Sequence, residues 1–478
     1  MYLKNNLIQF TVIACSIIVT MLGVIFTSET IVFIGCLLIW ILNVSMGCSK
    51  YKENIVFLSF NITFFFFLMG QYFVNYIMKI NIDILSDRDT VIKTMIMLYV
   101  SLLTCHLSYF TYKKHSIRLS IPIFFKNNNI QIEMIRKIAT IVFYFSYPFA
   151  IYSTIVNNMY VMIVGYARSY LGTSGVSGLV SQIVAVNEIC FFMIAACLPL
   201  KKKFVFPAIL FLVNSCLGVL SGRRNTVILA ILFVVIYYVM RQKNSEYEVW
   251  IGKFEKTILI LAIPVIAIYI VVYGDLRVGE AYNFSSVFDS LVETISVQGG
   301  SVQVLYYQQV YKNSEALNQF FVLGPLWRVF FQNAISYRLF NIPYYIANTT
   351  SMALHGHAFS QSISYCVNST ALLHGYGIGS CYIAEAMQDF GWIGIVLINV
   401  LYGIVMKSTT RISDDMGYFK RLYLCFLINK LIYSPRDGAM NPFFDIFSFS
   451  TFSVIIVLLL AAYLFTYSGN KLSVSDRD

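Results

Sequence analysis

Long runs of apolar residues follow one another along most of the chain and are separated by short polar stretches. A helix needs roughly 20 apolar residues to cross a bilayer, and most of the runs approach or reach that length. The pattern predicts twelve membrane-spanning helices, near 7–26, 31–46, 54–78, 91–111, 138–156, 179–199, 204–221, 225–240, 257–273, 381–406, 422–433 and 446–467. The runs at 31–46 and 422–433 are short.

The composition supports a membrane protein and excludes several other classes. Of the 478 residues, 58% are hydrophobic and 12% are charged, which is about half of the charged fraction of soluble domains. A soluble enzyme, a disordered chain and a nucleic-acid binder are therefore excluded, although the net charge is +11. The sequence predicts an all-α polytopic membrane protein that forms a single integral membrane domain over residues 1–478.

The basic residues determine the expected orientation. Most of the 34 lysines and arginines lie in alternate polar stretches, and such stretches stay in the cytoplasm under the positive-inside rule. Both termini are therefore expected in the cytoplasm, and the two largest outer loops are residues 157–178 and 274–380. A long loop without structure of its own is unusual. We therefore predict short helices in the second loop, some at the membrane surface with Arg328 and Arg338 on their polar side.

Arginines on the outer side oppose this charge bias and need a reason. Arg223 and Arg224 join two apolar runs, Arg436 lies in Tyr-Ser-Pro-Arg-Asp-Gly after another run, and Arg168 lies in loop 157–178. A guanidinium group can bind phosphate through two parallel hydrogen bonds, so these four residues are candidate phosphate ligands. The structural alternative is contact with lipid headgroups, or for Arg436 an ion pair with the neighbouring aspartate.

A glycine-rich stretch precedes the tenth apolar run. It contains Gly375, Gly377, Gly379 and Ser380, and glycines let the backbone approach a ligand or a helix closely. Glu385 follows in the first turns of the run, and Asp389 shares its helix face four residues later. An unpaired acid there costs several kcal/mol. Glu385 is therefore a candidate general base, or else a structural partner of one of the arginines.

Histidines and cysteines offer fewer candidates. His355 and His374 of the long loop are candidate general bases, with an ordinary surface location as the alternative. His355 and His357 have the spacing of two metal ligands, but no acidic cluster accompanies them, and neither a metal nor a cofactor is predicted. Most of the cysteines lie in apolar runs as small apolar residues, and only Cys366 and Cys381 could pair on the outer side.

Four short motifs together resemble the O-antigen polymerase (Wzy) family. They are the hairpin Leu220-Ser-Gly-Arg-Arg-Asn-Thr-Val, Gln298-Gly-Gly-Ser301, Gly377-Ile-Gly-Ser-Cys-Tyr-Ile-Ala-Glu-Ala-Met-Gln-Asp-Phe-Gly-Trp-Ile-Gly394 and Tyr433-Ser-Pro-Arg-Asp437. About a dozen spans with two large outer loops extend the resemblance to nearly the whole chain. One departure is Cys381, where the resemblance leads us to expect a small hydroxyl residue.

The resemblance implies a metal-independent glycosyltransferase of the C class in the bacterial inner membrane, within lipopolysaccharide biosynthesis. Its substrates would be oligosaccharide repeat units linked to undecaprenyl pyrophosphate, which it would join at the periplasmic face into O-antigen polysaccharide. The four outer arginines would then hold the substrate pyrophosphate, and Glu385, His355 or His374 would accept a proton. The expected partners are the lipid-linked oligosaccharide, the bilayer and, as a candidate, a chain-length regulator protein.

Two other functions remain open at this point. An O-antigen ligase has the same architecture and outer arginines but a different acceptor, the lipid A-core. A flippase or another transporter of lipid-linked oligosaccharide would show matching halves and broken polar helices at mid-membrane. The halves of this chain do not match, and its polar groups collect at the outer ends of the runs, which favours a polymerase or a ligase.

Overall fold

The structure of the protein is a computed structural model. It describes residues 2–80, 87–112, 129–165, 168–172, 175–221, 224–244, 248–257, 287–410, 412–413 and 416–475. Within these ranges the regular secondary structure is helical throughout and there is no strand. Ten of the described helices are long and apolar enough to cross a membrane, and each coincides with a predicted span. The prediction of an all-α polytopic membrane protein is confirmed.

The two remaining predicted spans have different outcomes. Residues 258–273 of the ninth predicted span lie outside the described residues. Residues 422–431 of the eleventh span belong to a helix, Tyr418–Leu431, that has only 14 residues. Because a helix rises about 1.5 Å per residue, this helix is too short to cross a bilayer alone. The short run at 31–46 is instead part of a full-length helix, Glu29–Ser49.

Contacts between residues divide the chain into two compact units. The first unit contains Met1–Lys114, Ile251–Thr410 and Leu431–Asn441. Its described α-helices are Tyr2–Ile25, Glu29–Ser49, Tyr51–Phe64, Gly70–Tyr72, Arg88–Thr111, Val287–Gly299, Gln303–Tyr311, Gly324–Phe331, Ala334–Phe340, Thr350–His355, Phe359–Leu373 and Tyr382–Ser408. Short 3-10 helices lie at Gly300–Val302, Glu315–Leu317 and Ser434–Arg436.

Helix Tyr382–Ser408, which we call the Glu385 helix, packs closely on helix Arg88–Thr111. A Cβ atom on Gly403 would lie only 1.9 Å from Ser108 Oγ and 2.8 Å from the carbonyl oxygen of Cys105. Small residues at such crossings let two membrane helices approach through their backbones. Aromatic packing supports the same helix, because the rings of Tyr382 and Tyr402 stack with centroids 4.9 Å apart.

A second close crossing joins a membrane helix to the long loop. After Phe64 the third helix continues through π-helical turns at Phe65–Met69 and Phe73–Ile77, on either side of Gly70–Tyr72. Helix Val287–Gly299 meets it there, and a Cβ atom on Gly299 would lie 2.2 Å from the backbone nitrogen of Gln71. Only a residue without a side chain fits at position 299.

The described part of the long loop, residues 287–380, consists of short helices and turns, as predicted. The thiols of Cys366 and Cys381 are both free, so these two cysteines do not pair. Cys366 Sγ lies 3.0 Å from Ser314 Oγ, and burial raises the pKa of this thiol. Within the loop Cys366 therefore acts as a packed neutral side chain.

The second unit contains His115–Trp250, Arg411–Lys430 and Pro442–Asp478. Its described helices, two of which reach the unit boundary, are Asn129–Val164, Arg168–Tyr170, Gly178–Ala196, Lys201–Gly218, Val219–Ser221, Arg224–Asn244, Tyr418–Leu431, Asn441–Phe444, Asp445–Phe447 and Phe449–Ser475. Its core is aromatic. Phe191 stacks on Phe211 with centroids 4.1 Å apart, and Trp250 packs edge-on against Tyr237.

We expect Gly403→Ala to lower the thermal unfolding midpoint of the purified protein. The added methyl group would overlap Ser108 Oγ, and overpacking of this kind costs about 1–3 kcal/mol. Gly178→Ala is the matched control, because no heavy atom lies within 4 Å of a Cβ at that helical glycine. The midpoint can be measured by thermal denaturation in detergent. Equal midpoints for the two variants would contradict the close crossing.

Candidate active site

Glu385 lies in the first turn of its helix with a buried side chain. It is 4% exposed. Its Oε1 accepts a hydrogen bond from Ser380 Oγ at 2.7 Å, and its Oε2 accepts one from the backbone N–H of Ala439 at 2.8 Å. A buried carboxylate is costly unless it has such donors. The two bonds therefore fix the carboxylate between the glycine-rich turn and a segment more than fifty residues later.

The glycine-rich turn brings Ser380 to Glu385. Gly375 and Gly379 have φ angles of 87° and 86°, in the left-handed region that favours glycine. Between them the backbone N–H of Ile378 donates to Ser364 Oγ at 3.0 Å. The turn predicted from Gly375, Gly377, Gly379 and Ser380 is thus present, and its last residue contacts Glu385.

The segment that holds the other carboxylate oxygen is a tight turn after helix Ser434–Arg436. Asp437 Oδ1 accepts hydrogen bonds from the backbone N–H of Gly438 at 2.7 Å and from Asn441 Nδ2 at 2.5 Å. Tyr402, from the Glu385 helix, donates its hydroxyl to the carbonyl oxygen of Ala439 at 2.7 Å. A Cβ on Gly438 would lie 3.0 Å from Glu385 Oε1. The turn at 437–441 therefore packs directly against the Glu385 carboxylate, and a side chain at position 438 would crowd it.

Arg436 projects from the same turn and is half-buried. Its Nη1 donates to Gln298 Oε1 at 2.7 Å, and its guanidinium carbon lies 5.7 Å from the centre of the Phe67 ring. Gln298 precedes Gly299, the residue of the close crossing, and Phe67 lies in the first π-helical turn. The position of this cation therefore depends on that crossing.

Arg328 is a second half-buried cation near the same turn. It lies on helix Gly324–Phe331, where Nη1 donates to the carbonyl oxygen of His357 at 3.0 Å and Nη2 donates to Asn441 Oδ1 at 3.2 Å. A Cβ on Gly324 would lie 2.2 Å from that same carbonyl oxygen. Arg328 is thus linked through Asn441 to Asp437 and the turn that contacts Glu385.

These residues form one group, which we call the acid–arginine cluster. Its members are Ser380, Glu385, Asp437, Asn441, Arg328 and Arg436, all in the first unit. It combines two carboxylates with two guanidinium groups next to the glycine-rich turn. Arrangements of this kind can remove a proton from a hydroxyl group and stabilise an anionic leaving group.

The sequence-based candidates are only partly brought together. Glu385, Arg436 and the glycine-rich turn lie in or beside the cluster. His355 is exposed at the end of its helix, with its ring 5.9 Å from that of Tyr345. His374 is also exposed, and its Nδ1 lies 2.7 Å from the carbonyl oxygen of Thr370. Among the described residues, neither imidazole makes a hydrogen bond or an ion pair with a member of the cluster.

The other predicted phosphate ligands belong to the second unit. Arg168 is exposed in helix Arg168–Tyr170. Arg224 begins helix Arg224–Asn244, while its side chain and the whole of Arg223 lie outside the described residues. The hypothesis that these three arginines act together with Arg436 on one pyrophosphate therefore stays a prediction.

Sequence reasoning did not select Arg328, Asn441 or Gln298 as partners in one site. The sequence predicts Arg328 on the polar side of a helix at the membrane surface, and its position in a loop rich in apolar residues gives no sign of its two acceptors. Gln298 stood in a motif of the resemblance without an assigned role. Among the described residues there is no group of three or more His, Cys, Asp or Glu side chains that could hold a metal ion.

The family model for the O-antigen polysaccharide polymerase Wzy matches residues 8–468. The chain belongs to this family. No curated protein and no solved structure matches it. Membership confirms the family that the sequence resembles. Together with the ten apolar helices it makes the chain a multi-pass membrane protein of O-antigen polymerisation, acting on lipid-linked oligosaccharide.

We expect Ser380→Ala to reduce O-antigen polymerisation by about tenfold or more. The change removes the donor to Glu385 Oε1, and a buried polar atom that loses its hydrogen-bond partner costs about 1–3 kcal/mol. Ser351→Ala, an exposed serine of the same loop, is the matched control and should leave polymer length and amount unchanged. Lipopolysaccharide gels at equal protein level measure both. A normal ladder from Ser380→Ala would show that this bond is dispensable.

Proposed function

We propose that this Wzy family member joins oligosaccharide repeat units carried on undecaprenyl pyrophosphate, at the periplasmic face of the inner membrane. The observation that carries the proposal is the acid–arginine cluster, in which a buried carboxylate with two fixed donors shares a hydrogen-bonded turn with two half-buried guanidinium groups. The reaction needs both, because a hydroxyl group must lose a proton and a pyrophosphate must leave.

The proposed reaction is a single glycosyl transfer. The acceptor hydroxyl at the non-reducing end of a fresh unit forms a bond with the anomeric carbon of the growing chain. The bond from that carbon to the carrier pyrophosphate breaks, and the pyrophosphate departs with its electrons. In this scheme Glu385 accepts the hydroxyl proton or positions the group that does, and His355 and His374 are the alternative bases.

Arg328 and Arg436 are proposed to stabilise the negative charge of the departing pyrophosphate. Fixed cations in a site shielded from water stabilise a developing anion without reorganising during the reaction. Because guanidinium groups can do this alone, we propose that the reaction does not depend on a metal ion. Arg168, Arg223 and Arg224 remain proposed additional ligands of the pyrophosphates.

The predicted topology supports the periplasmic face. Loop 274–380 and the start of the Glu385 helix belong to the outer side in that topology, and they supply Arg328, Ser380 and Glu385. Hydrogen bonds from Ala439 to Glu385 and from Arg328 to Asn441 attach the remaining members of the cluster to these stretches. Both termini are then cytoplasmic. A chain-length regulator protein is a proposed partner, since growth of the polymer must stop at some length.

We expect Glu385→Gln to abolish polymer formation while the protein still inserts in the membrane. The variant keeps the size of the side chain but removes the negative charge that would attract the proton. In a deletion strain that carries this variant, lipopolysaccharide should show core plus one repeat unit. Asp445→Asn is a control, because Asp445 pairs with Lys430 in the second unit at 2.9 Å.

Three other results of that experiment have distinct meanings. Full-length ladders would make Glu385 structural and would favour His355 or His374 as the base. Loss of all attached O-antigen from the deletion strain would indicate a ligase or a flippase instead of a polymerase. Loss of the protein from the membrane would indicate that the charge of Glu385 is needed for folding.

We expect Arg328→Ala and Arg436→Ala each to lower the rate of polymerisation by about a hundredfold or more, the usual effect of removing a fixed transition-state donor. The lysine variants should keep partial activity, because lysine keeps the charge but lacks the planar fork. Arg338→Ala, an exposed arginine of the same loop, should be neutral. Initial rates with lipid-linked repeat units, with and without EDTA, measure these effects. Equal rates for Arg, Lys and Ala would contradict the proposed role, and inhibition by EDTA would contradict metal independence.

A further inference from the structure

Asp389 lies one helical turn after Glu385 but contacts a different part of the chain. Its Oδ2 accepts hydrogen bonds from the backbone N–H groups of Phe321 at 2.8 Å and Val322 at 2.7 Å. Two short bonds from consecutive backbone N–H groups to one carboxylate oxygen are strong and directional. Asp389 therefore fixes segment 321–322 to the Glu385 helix.

That segment leads directly into the helix that carries Arg328. Helix Gly324–Phe331 begins two residues after Val322, and Arg328 lies in its second turn. The neighbouring carbonyl oxygen of Phe320 lies 3.1 Å from His357 Nδ1, and His357 supplies the carbonyl oxygen that accepts from Arg328. Asp389 thus fixes the segment immediately before the helix that carries the Arg328 guanidinium group.

The contacts and the chain segments between them form a closed ring. Glu385 holds Ala439, the turn of Ala439 leads to Asn441, and Asn441 accepts a hydrogen bond from Arg328. The Arg328 helix then returns through segment 321–322 to Asp389. Because the two acids are four residues apart on one helix, their attachment points are separated by a rise of about 6 Å. The helical turn from Glu385 to Asp389 therefore sets the spacing between the Glu385 carboxylate and the Arg328 guanidinium group.

The helix changes direction immediately after this pair of acids. Gly391 interrupts the helical geometry with φ 61° and ψ −148°, a conformation that favours glycine. The stretch from Tyr382 to Phe390 is therefore a short element of its own at the start of the long helix, and it contains both Glu385 and Asp389.

We propose that Asp389 is a positioning residue that fixes Arg328 relative to Glu385, an inference that rests on the proposed function of those two residues. Asp389 acts through backbone N–H groups and does not need to touch the substrate. A displacement of about 1 Å in a catalytic group can cost on the order of a hundredfold in rate. Loss of Asp389 should therefore reduce turnover without changing the charge of the reacting groups.

The test is a double-mutant cycle on the purified full-length protein with lipid-linked repeat units. Asp389→Ala should lower kcat by about tenfold to a hundredfold with little change in KM, because an interaction made in the transition state is lost. In the Arg328→Ala background the same change should have less than about a threefold effect, since there is no guanidinium group left to position. Glu293→Ala, an exposed acid in helix Val287–Gly299, is the control and should be neutral in both backgrounds.

A conservative variant keeps the proposal testable if Asp389→Ala does not accumulate. Asp389→Asn retains an oxygen for the two N–H groups and should keep at least about a tenth of the wild-type kcat. Its loss of kcat should also disappear in the Arg328→Ala background. The proposal is overturned if the losses multiply in the double variant, or if Asp389→Ala has wild-type kcat. Near-normal rates for Arg328→Ala and Glu385→Gln would instead overturn the proposed function.

Discussion

The centre of the first unit is organised around one carboxylate, Glu385, which is buried at the start of an apolar helix and therefore requires hydrogen-bond donors. Glu385 obtains them from Ser380, through a turn with two left-handed glycines, and from Ala439, which lies 54 residues later. This need accounts for the glycine-rich turn, for the absence of a side chain at Gly438 and for the hydroxyl of Tyr402 that holds the carbonyl oxygen of Ala439. Arg328 and Arg436 are both connected to the turn that supplies the Ala439 donor to Glu385.

The length of the apolar runs predicted the membrane helices well, because a helix in lipid must be apolar over its whole length. Ten of the predicted spans correspond to such helices among the described residues. Residues 258–273 of the ninth predicted span lie outside the described residues. The eleventh predicted span, 422–433, is mostly buried, and its residues 422–431 belong to a 14-residue helix. An apolar run of that length is equally compatible with a core helix. An acid in an apolar run and a cation against the charge bias made Glu385 and Arg436 candidates, since each is costly there unless it is paired. Both have hydrogen-bond partners in the structure, and their roles stay predictions.

The hydrogen-bond partners of the two arginines could not be predicted from the sequence. Arg436 contacts a glutamine 138 residues away, and Arg328 contacts an asparagine 113 residues away. Neither periodicity nor composition contains information about such separations. The histidines illustrate the converse, since His355 and His374 have suitable chemistry but are exposed at helix ends. His357 takes part through its backbone carbonyl group, which no argument from side-chain chemistry would select.

The order in which the cluster is made along the chain has a consequence for biogenesis. The first unit is built from three separate stretches of sequence, and the cluster takes residues from positions 328 to 441. A chain that emerges from its N-terminus first therefore carries Glu385 into the membrane before Ala439 and Asn441 exist to complete its partners. Until that turn arrives, the nascent protein holds an acid with one donor and an arginine with one acceptor. The turn that contains Ala439 and Asn441 thus completes the hydrogen bonds of the cluster, and a chain that stopped before it would leave Glu385 and Arg328 each with one partner fewer.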